Sequence, residues 1–433
     1  MHAADGTVWS WGRSENGRLG HGNAGPEVVR RPCLVEALAQ TPIAVIGAGY
    51  HHSMALSTKS QLYCWGSGWS GQLGTGTNKD AILPALVDVP TKQDKSGKMI
   101  RLAAGYHHSM VLTDGGRIYS WGTGDVGQLG LGPQLRRAMQ PTLIASASEE
   151  RFVTISASEH HSVGLTDEGK AYSWGYNRWK QLGHEHSASD KTHIPQPVSS
   201  TISFTRIAAG SAHTIAISKE NQLYYWGRMV LVGDCISSPK LLDSCVSVSF
   251  CDVSTRLNHC LALTKSGELW SFGYNEFGQC GVGHSSPVLV PTMSPITNGL
   301  KFSSIIAAGN HSIAIAQHES LQNSNKSPSS SSEDLRKNLI RVELGEAKRP
   351  GSPDGTSPTS PRGRGSRISI SKVAPNFTEQ LSSLAKRESE LRVEREALRV
   401  QQRALDEAVA DWTRREDELA AERNRLLREA GLM

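Results

Sequence analysis

The sequence predicts an all-β fold, a β-propeller of short antiparallel strands, followed by a linker with no core of its own and a C-terminal α-helical coiled coil. Three observations carry this prediction. A phrase built on Trp-Gly returns about every 50 residues as far as residue 318, no helical period separates its copies, and proline and glycine vanish between Thr378 and Ala430.

The repeat has two signposts. Trp-Gly opens at Trp11, Trp65, Trp121, Trp174 and Trp226, with Phe272 standing in for tryptophan, so successive anchors lie 54, 56, 53, 52 and 46 residues apart by subtraction. A Gly-Gln-Leu-Gly follows in its fullest form at Gly71–Gly74. Before the tryptophan comes Gly47-Ala48-Gly49-Tyr50-His51-His52-Ser53, returning as Ala103 to Ser109, Ser156 to Ser162, Ala208 to Thr214, a worn Ser254 to Cys260, and Ala307 to Ser312. Short apolar runs, turns such as Asp114-Gly115-Gly116 and alternating stretches such as RIYSWG read as strands, and their even spacing reads as propeller blades rather than βαβ units.

The array begins with the second half of a unit, GTVWSWG, and ends with the first half of another, AAGNHSIAIAQ. Joining the two would complete one blade and remove exposed sheet edges. That gives a propeller over residues 1–318 closed by its terminal strands, with six repeat units visible and seven blades open if a unit is missing.

Residues 319–377 are rich in Ser, Pro, Gly and Arg, too polar to offset the entropy of ordering, and read as a disordered linker. The apolar-basic patch LRKNLIRVEL is the exception, a segment able to dock on the propeller or on a partner. Residues 378–430 read as a heptad helix. Leu384, Leu391, Leu398, Leu405, Trp412, Leu419 and Leu426 fall at successive sevens, a coiled-coil seam. The second seam position is mostly charged (Glu388, Arg395, Glu416, Arg423), which disfavours a parallel homodimer and leaves an antiparallel or heteromeric partner.

Composition narrows the function classes. Seven scattered cysteines with no Cys-x-x-Cys suggest neither a disulfide framework nor a zinc ribbon. The net charge of +5 is matched by residues 348–372 alone, where six basic residues face Asp354, 6 − 1 = +5, so the propeller offers no nucleic-acid footprint. No stretch is long and apolar enough for a membrane span and the N-terminus lacks the order of a secretory signal, so the expected location is cytoplasmic, with the nucleus open.

Two motifs imitate chemistry. Gly66 to Gly71 and Gly122 to Gly127 match Gly-x-Gly-x-x-Gly, but a dinucleotide site needs that pattern to open a helix, and here another turn follows. They read as turns needing positive φ, and no cofactor is expected. The histidines occupy the same place in successive units, about one sheet spacing of roughly 10 Å apart, too far for neighbours to share a metal. A structural role, each imidazole satisfied by backbone or by the next blade, is expected.

Departures from the repeat are the candidate partner-binding sites. After Trp226-Gly227 the Gly-Gln-Leu-Gly is replaced by Arg228-Met229-Val230-Leu231-Val232, read either as loop drift or as a flattened contact rim of Met229, Val230, Leu231 and Val232. The polar excursion with Pro90, Lys92, Asp94, Lys95 and Lys98 is long enough to project. Ser327, Ser352, Ser357 and Ser360 precede prolines and are candidate phosphosites, where phosphate would cancel the local positive charge.

The two signposts resemble those of the RCC1 repeat, the blade of the regulator-of-chromosome-condensation propellers, over roughly three quarters of the chain. The resemblance implies one of two functions. In the founding branch the propeller is a guanine nucleotide exchange factor for the small GTPase Ran, acting through a projecting β-wedge and carrying a basic N-terminal tail. Neither wedge nor tail is visible in this sequence, so no exchange residue carries over. Elsewhere in the family the ring is a protein-binding platform joined to other modules. The reading is therefore a non-catalytic interaction scaffold for a protein partner, a Ran-like small GTPase among the candidates, with exchange activity as the alternative.

Overall fold

The computed structural model describes residues 5–22, 28–92, 95–185, 189–229, 235–295, 300–317 and 341–344. The chain divides into two compact units, residues 1–350 and 351–433, and every described residue lies in the first.

Strand β1 (Trp9–Arg13) pairs with β2 (Val28–Leu34) in a two-stranded sheet. Five four-stranded antiparallel sheets follow in chain order: β3 (Ile43–Ala48), β4 (His52–Ser57), β5 (Leu62–Gly66) and β6 (Ala81–Val87); β7 (Met99–Ala104), β8 (His108–Thr113), β9 (Ile118–Thr123) and β10 (Arg137–Leu143); β11 (Phe152–Ala157), β12 (His161–Thr166), β13 (Ala171–Tyr176) and β14 (Lys191–Pro197); β15 (Phe204–Ala209), β16 (His213–Ser218), β17 (Leu223–Arg228) and β18 (Cys235–Leu241); β19 (Phe250–Arg256), β20 (His259–Thr264), β21 (Leu269–Gly273) and β22 (Val288–Met293). The last sheet has three strands, β23 (Lys301–Ala307), β24 (Ser312–Gln317) and β25 (Arg341–Leu344). These are the blades of a propeller. Among the described residues no helix is long and apolar enough to cross a membrane.

Among the described residues β1 pairs with β2, and β24 pairs with β23 on one edge and β25 on the other. β25 comes from LRKNLIRVEL, the one segment of the linker with enough apolar residues to dock.

The core lies between blades. Met54, Leu56 and Leu62 of one sheet meet Val111, Tyr119 and Trp121 of the next, and Met110, Leu112 and Ile118 of that sheet meet Phe152 and Trp174. Four of the inner strands place a buried phenylalanine at the same point, Phe152, Phe204, Phe250 and Phe302. The outermost strands of the first six sheets each hold a proline, Pro32, Pro84, Pro141, Pro195, Pro239 and Pro291. Proline has no N–H to offer, so these edges resist pairing with another chain.

The Trp-Gly glycine is required by geometry. Gly66 has φ +105°, and a Cβ there would lie 2.5 Å from the His51 carbonyl oxygen; Gly122 has φ +106° and the same conflict with His107. The predicted tight turns are present, and no helix follows them.

Candidate functional site: the histidine-bearing face

Inner strands run toward one face of the propeller, turn through the loop before the histidines and return as the second strand. The Trp-Gly turns end on that same face, since Ser67 N donates to the His51 carbonyl and Thr123 N to that of His107.

The second histidine of each loop points into the seam with the next blade. His52 Nε2 lies 2.8 Å from Ser109 Oγ, His108 Nε2 2.9 Å from Ser162 Oγ, His161 Nε2 3.0 Å from Thr214 Oγ1, His213 Nε2 2.8 Å from Thr255 Oγ1 and His259 Nε2 2.9 Å from Ser312 Oγ. Ser109, Ser162, Thr214 and Ser312 spend their one proton on the carbonyls of Gln72, Gln128, Gln181 and Gln279, so at those four seams the imidazole Nε2–H is the donor. Nδ1 of His52, His108, His161 and His259 is left without a partner. Burial holds His52, His108 and His161 neutral with pKa pushed down to about 3, the Arg256 charge adding to it at His52 and His108, and burial pushes His213 and His259 down to about 4. The structural role expected for the histidines is realised as a clasp from blade to blade.

Two of these glutamine carbonyls take a second donor from the next blade, Trp121 Nε1 at 2.9 Å from Gln72 O and Trp174 Nε1 at 3.0 Å from Gln128 O, whereas Trp226 Nε1 has no partner. Gly-Gln-Leu-Gly is thus a socket for the next blade. The turn after Trp226 lacks it, and in the following blade Phe272 replaces tryptophan while Cys260 replaces serine or threonine, its thiol lying 3.2 Å from both His213 Nε2 and Thr255 Oγ1. The Thr255 hydroxyl takes over as partner of His213.

Three loops carry a further histidine one residue earlier, His51 and His107 half-buried and His160 exposed, with an aromatic belt around them. Tyr50 and Tyr106 stack with centroids 4.2 Å apart, His51 meets Tyr106 edge-on at 5.4 Å, and Trp69 meets His107 at 4.6 Å. Tyr50 is 45% exposed and Trp69 52%. Farther round, His160 faces Tyr176 at 6.1 Å and Arg228 lies 4.4 Å over Trp179. Desolvation lowers the pKa of His51 and takes His107 to about 4, so both rings are neutral at pH 7. His51 and His107 are 6.3 Å apart, closer than one sheet spacing, because blades converge toward the axis. No group of three or more His, Cys, Asp or Glu able to hold a metal occurs among the described residues.

The two sequence-selected sites are not brought together. Residues 88–98 connect β6 to β7 on the opposite face, where Lys92, Lys95 and Lys98 are exposed and Pro90 is half-buried. The excursion folds back rather than projecting freely: Ser96 Oγ reaches Tyr119 Oη at 2.6 Å and Lys98 N donates to Asp114. Met229, taken from sequence as part of a rim, is 5% exposed and packs with Phe250 and Phe272, its apolar side chain filling the core beside the altered turn. Asp94, Val230, Leu231, Val232, the seam Leu384 to Leu426 and the serines at 327, 352, 357 and 360 lie outside the described residues. The aromatic belt was missed in sequence because Trp69 and Tyr106 are distant in the chain, although Trp179 and Phe277 hold the same place in their turns, five residues after the anchor, and Trp69 stands one place earlier in its own.

This geometry agrees with known proteins. A family model described as RCC1-like domain matches residues 1–231, and RCC1-repeat models match residues 251–279 and 266–315. The chain belongs to the RCC1-like family. This RCC1-like propeller is 30% identical over 325 residues to the ultraviolet-B receptor UVR8 of Arabidopsis thaliana, covering 72% of this chain and 71% of that protein. It is 27% identical to the human E3 ubiquitin-protein ligase HERC2, covering 72% of this chain but spanning only 6% of that protein. Among solved structures it is similar to Prp20p from Saccharomyces cerevisiae, described with binding properties to Gsp1p and histones, at 26% identity and a TM-score of 0.65, covering 73% of this chain and 80% of that one.

Proposed function

We propose that this chain is a non-catalytic interaction scaffold, that the histidine-bearing face of the propeller docks a protein partner, and that residues 378–430 serve assembly through a coiled coil. The observation that carries the reading is the exposed aromatic belt. Tyr50, Tyr106 and Trp69 are large, rigid groups beside neutral imidazoles, and interface energy concentrates in such aromatics, with arginine as their frequent companion. Arg228 over Trp179 extends the same surface. Because Prp20p is described as binding Gsp1p, a small GTPase of the Ran type is the first partner to try, and nucleotide exchange on it is the second reading. The proposed setting is the cytoplasm, with the nucleus open.

The experiment uses the full chain as bait against a Ran-like GTPase, with Y106A and W69A variants. Binding weakened at least tenfold by both, without accelerated release of labelled nucleotide, is expected. Catalytic acceleration of release supports exchange instead, and binding untouched by both variants removes the belt from the function.

A further inference from the structure

The inner strands place one residue per blade at the same level of the central channel. Arg101, Thr154, Arg206 and Asp252 pair with Leu112, Leu165, Ile217 and Leu263 at equivalent positions of the second strands, and each stands just after a register shift in its inner strand. Such bulges re-aim side chains. The cavity lined by these four residues together with hydroxyls including those of Ser156, Ser254 and Ser303 has a volume of about 600 Å³, within the usual range of small-molecule sites.

Both arginines are positioned by backbone acceptors. Arg101 Nε donates to the Val153 carbonyl at 2.9 Å, which leaves its two terminal amino groups, and Arg206 Nη1 donates to the Thr205 carbonyl at 2.9 Å. Asp252 lies 3.8 Å from Arg206 Nε, so the three charges of the lining sum to +1. At the histidine-bearing end Arg256 occupies the place held by glycine in other blades, at Gly49, Gly105 and Gly210. Its Nη1 reaches 3.0 Å to the Ala104 carbonyl, from β19 across the channel to β7. The channel is thus bridged at one end and lined with cationic and hydroxyl donors below.

We infer that this pit binds a compact anion carrying two or more phosphate groups, held by Arg101 and Arg206 on either side of the Thr154 hydroxyl. Two guanidinium forks with a hydroxyl between them suit phosphate oxygens, for which arginine supplies paired, charge-assisted donors.

The test is calorimetric titration of the full chain with pyrophosphate and with inositol hexakisphosphate at fixed ionic strength. Because residues 348–372 are also basic, a control chain carries R362Q, R364Q and R367Q. Saturable binding retained by the control and weakened at least tenfold by R101Q and by R206Q is expected, with inositol hexakisphosphate preferred if the pit takes a ring-borne polyphosphate and equal binding if it takes free pyrophosphate. Circular dichroism shows whether the variants are folded, and R101K, which keeps the charge and loses the fork, should weaken binding even if R101Q fails to fold. No saturable heat, loss in the linker control alone, or binding of a polyglutamate peptide in place of pyrophosphate would overturn the assignment.

Discussion

His108 reaches 2.9 Å across a blade boundary to the hydroxyl of Ser162, which in turn donates to the Gln128 carbonyl. Three residues distant in sequence form one chain of hydrogen bonds, and its equivalents join blade to blade.

Stability should collapse in mild acid. The five clasp histidines are neutral when folded, with pKa near 3 to 4, and protonate near 6.5 when unfolded. The unfolded chain therefore binds more protons below pH 6.5, and the stability present above that value is lost as pH falls toward 4. Each histidine contributes a slope of about 1.4 kcal/mol per pH unit, so five approach roughly 7 kcal/mol per unit. With a total stability of about 5–15 kcal/mol, urea titrations at pH 7, 6 and 5 should show the midpoint falling steeply. A flat profile would contradict the neutral clasp.

Two glycine substitutions should separate conformational cost from contact. Gly74 has φ +74° and a Cβ there would sit 2.8 Å from Trp121 Nε1, whereas Gly132 has φ +92° and nothing within 4 Å. Gly132→Ala should cost about 1 kcal/mol and Gly74→Ala about 2–4 kcal/mol, because the tryptophan must also move. Thermal denaturation of the pair reads the difference.

Removing a clasp hydroxyl should matter more than removing its replacement. Ser162→Ala orphans the buried His108 N–H and leaves the Gln128 carbonyl with Trp174 Nε1 as its side-chain donor, and should cost about 2 kcal/mol. At the equivalent place Cys260→Ala should cost about 1 kcal/mol, since Thr255 still bonds His213. Equal losses in chemical denaturation would show that the cysteine shares the polar role.

Truncation after residue 377 should lower the complexed mass measured by light scattering while leaving the propeller's thermal transition in place. An unchanged mass in both extract and pure form removes the assembly role from residues 378–430.

The strands, the turn glycines and the structural nature of the histidines were legible because each repeats with a fixed phase, so one copy explains the others. The edge prolines repeat as faithfully and were readable in principle, as their lack of an N–H marks an outer strand. Other features depend on neighbours that sequence does not show. Met229 sits in a tract that looks like a surface rim and is buried by Phe250 and Phe272. Arg101 and Arg206 share a channel only because two blades put them there. β25 lies among residues whose composition argues against order, and its pairing with β24 depends on a free edge that only the folded blade supplies.

The turn after Trp226 has a mechanical meaning. Along a row of blades fastened by repeated clasps, strain has no preferred outlet. Here the sheet ending in β18 offers no glutamine socket, and the boundary rests on the contacts of His213 with Thr255 and Cys260. Any force that spreads the blades, whether a wedged partner or a pulling tether, meets a crease at that boundary, so the propeller has a built-in direction in which to yield.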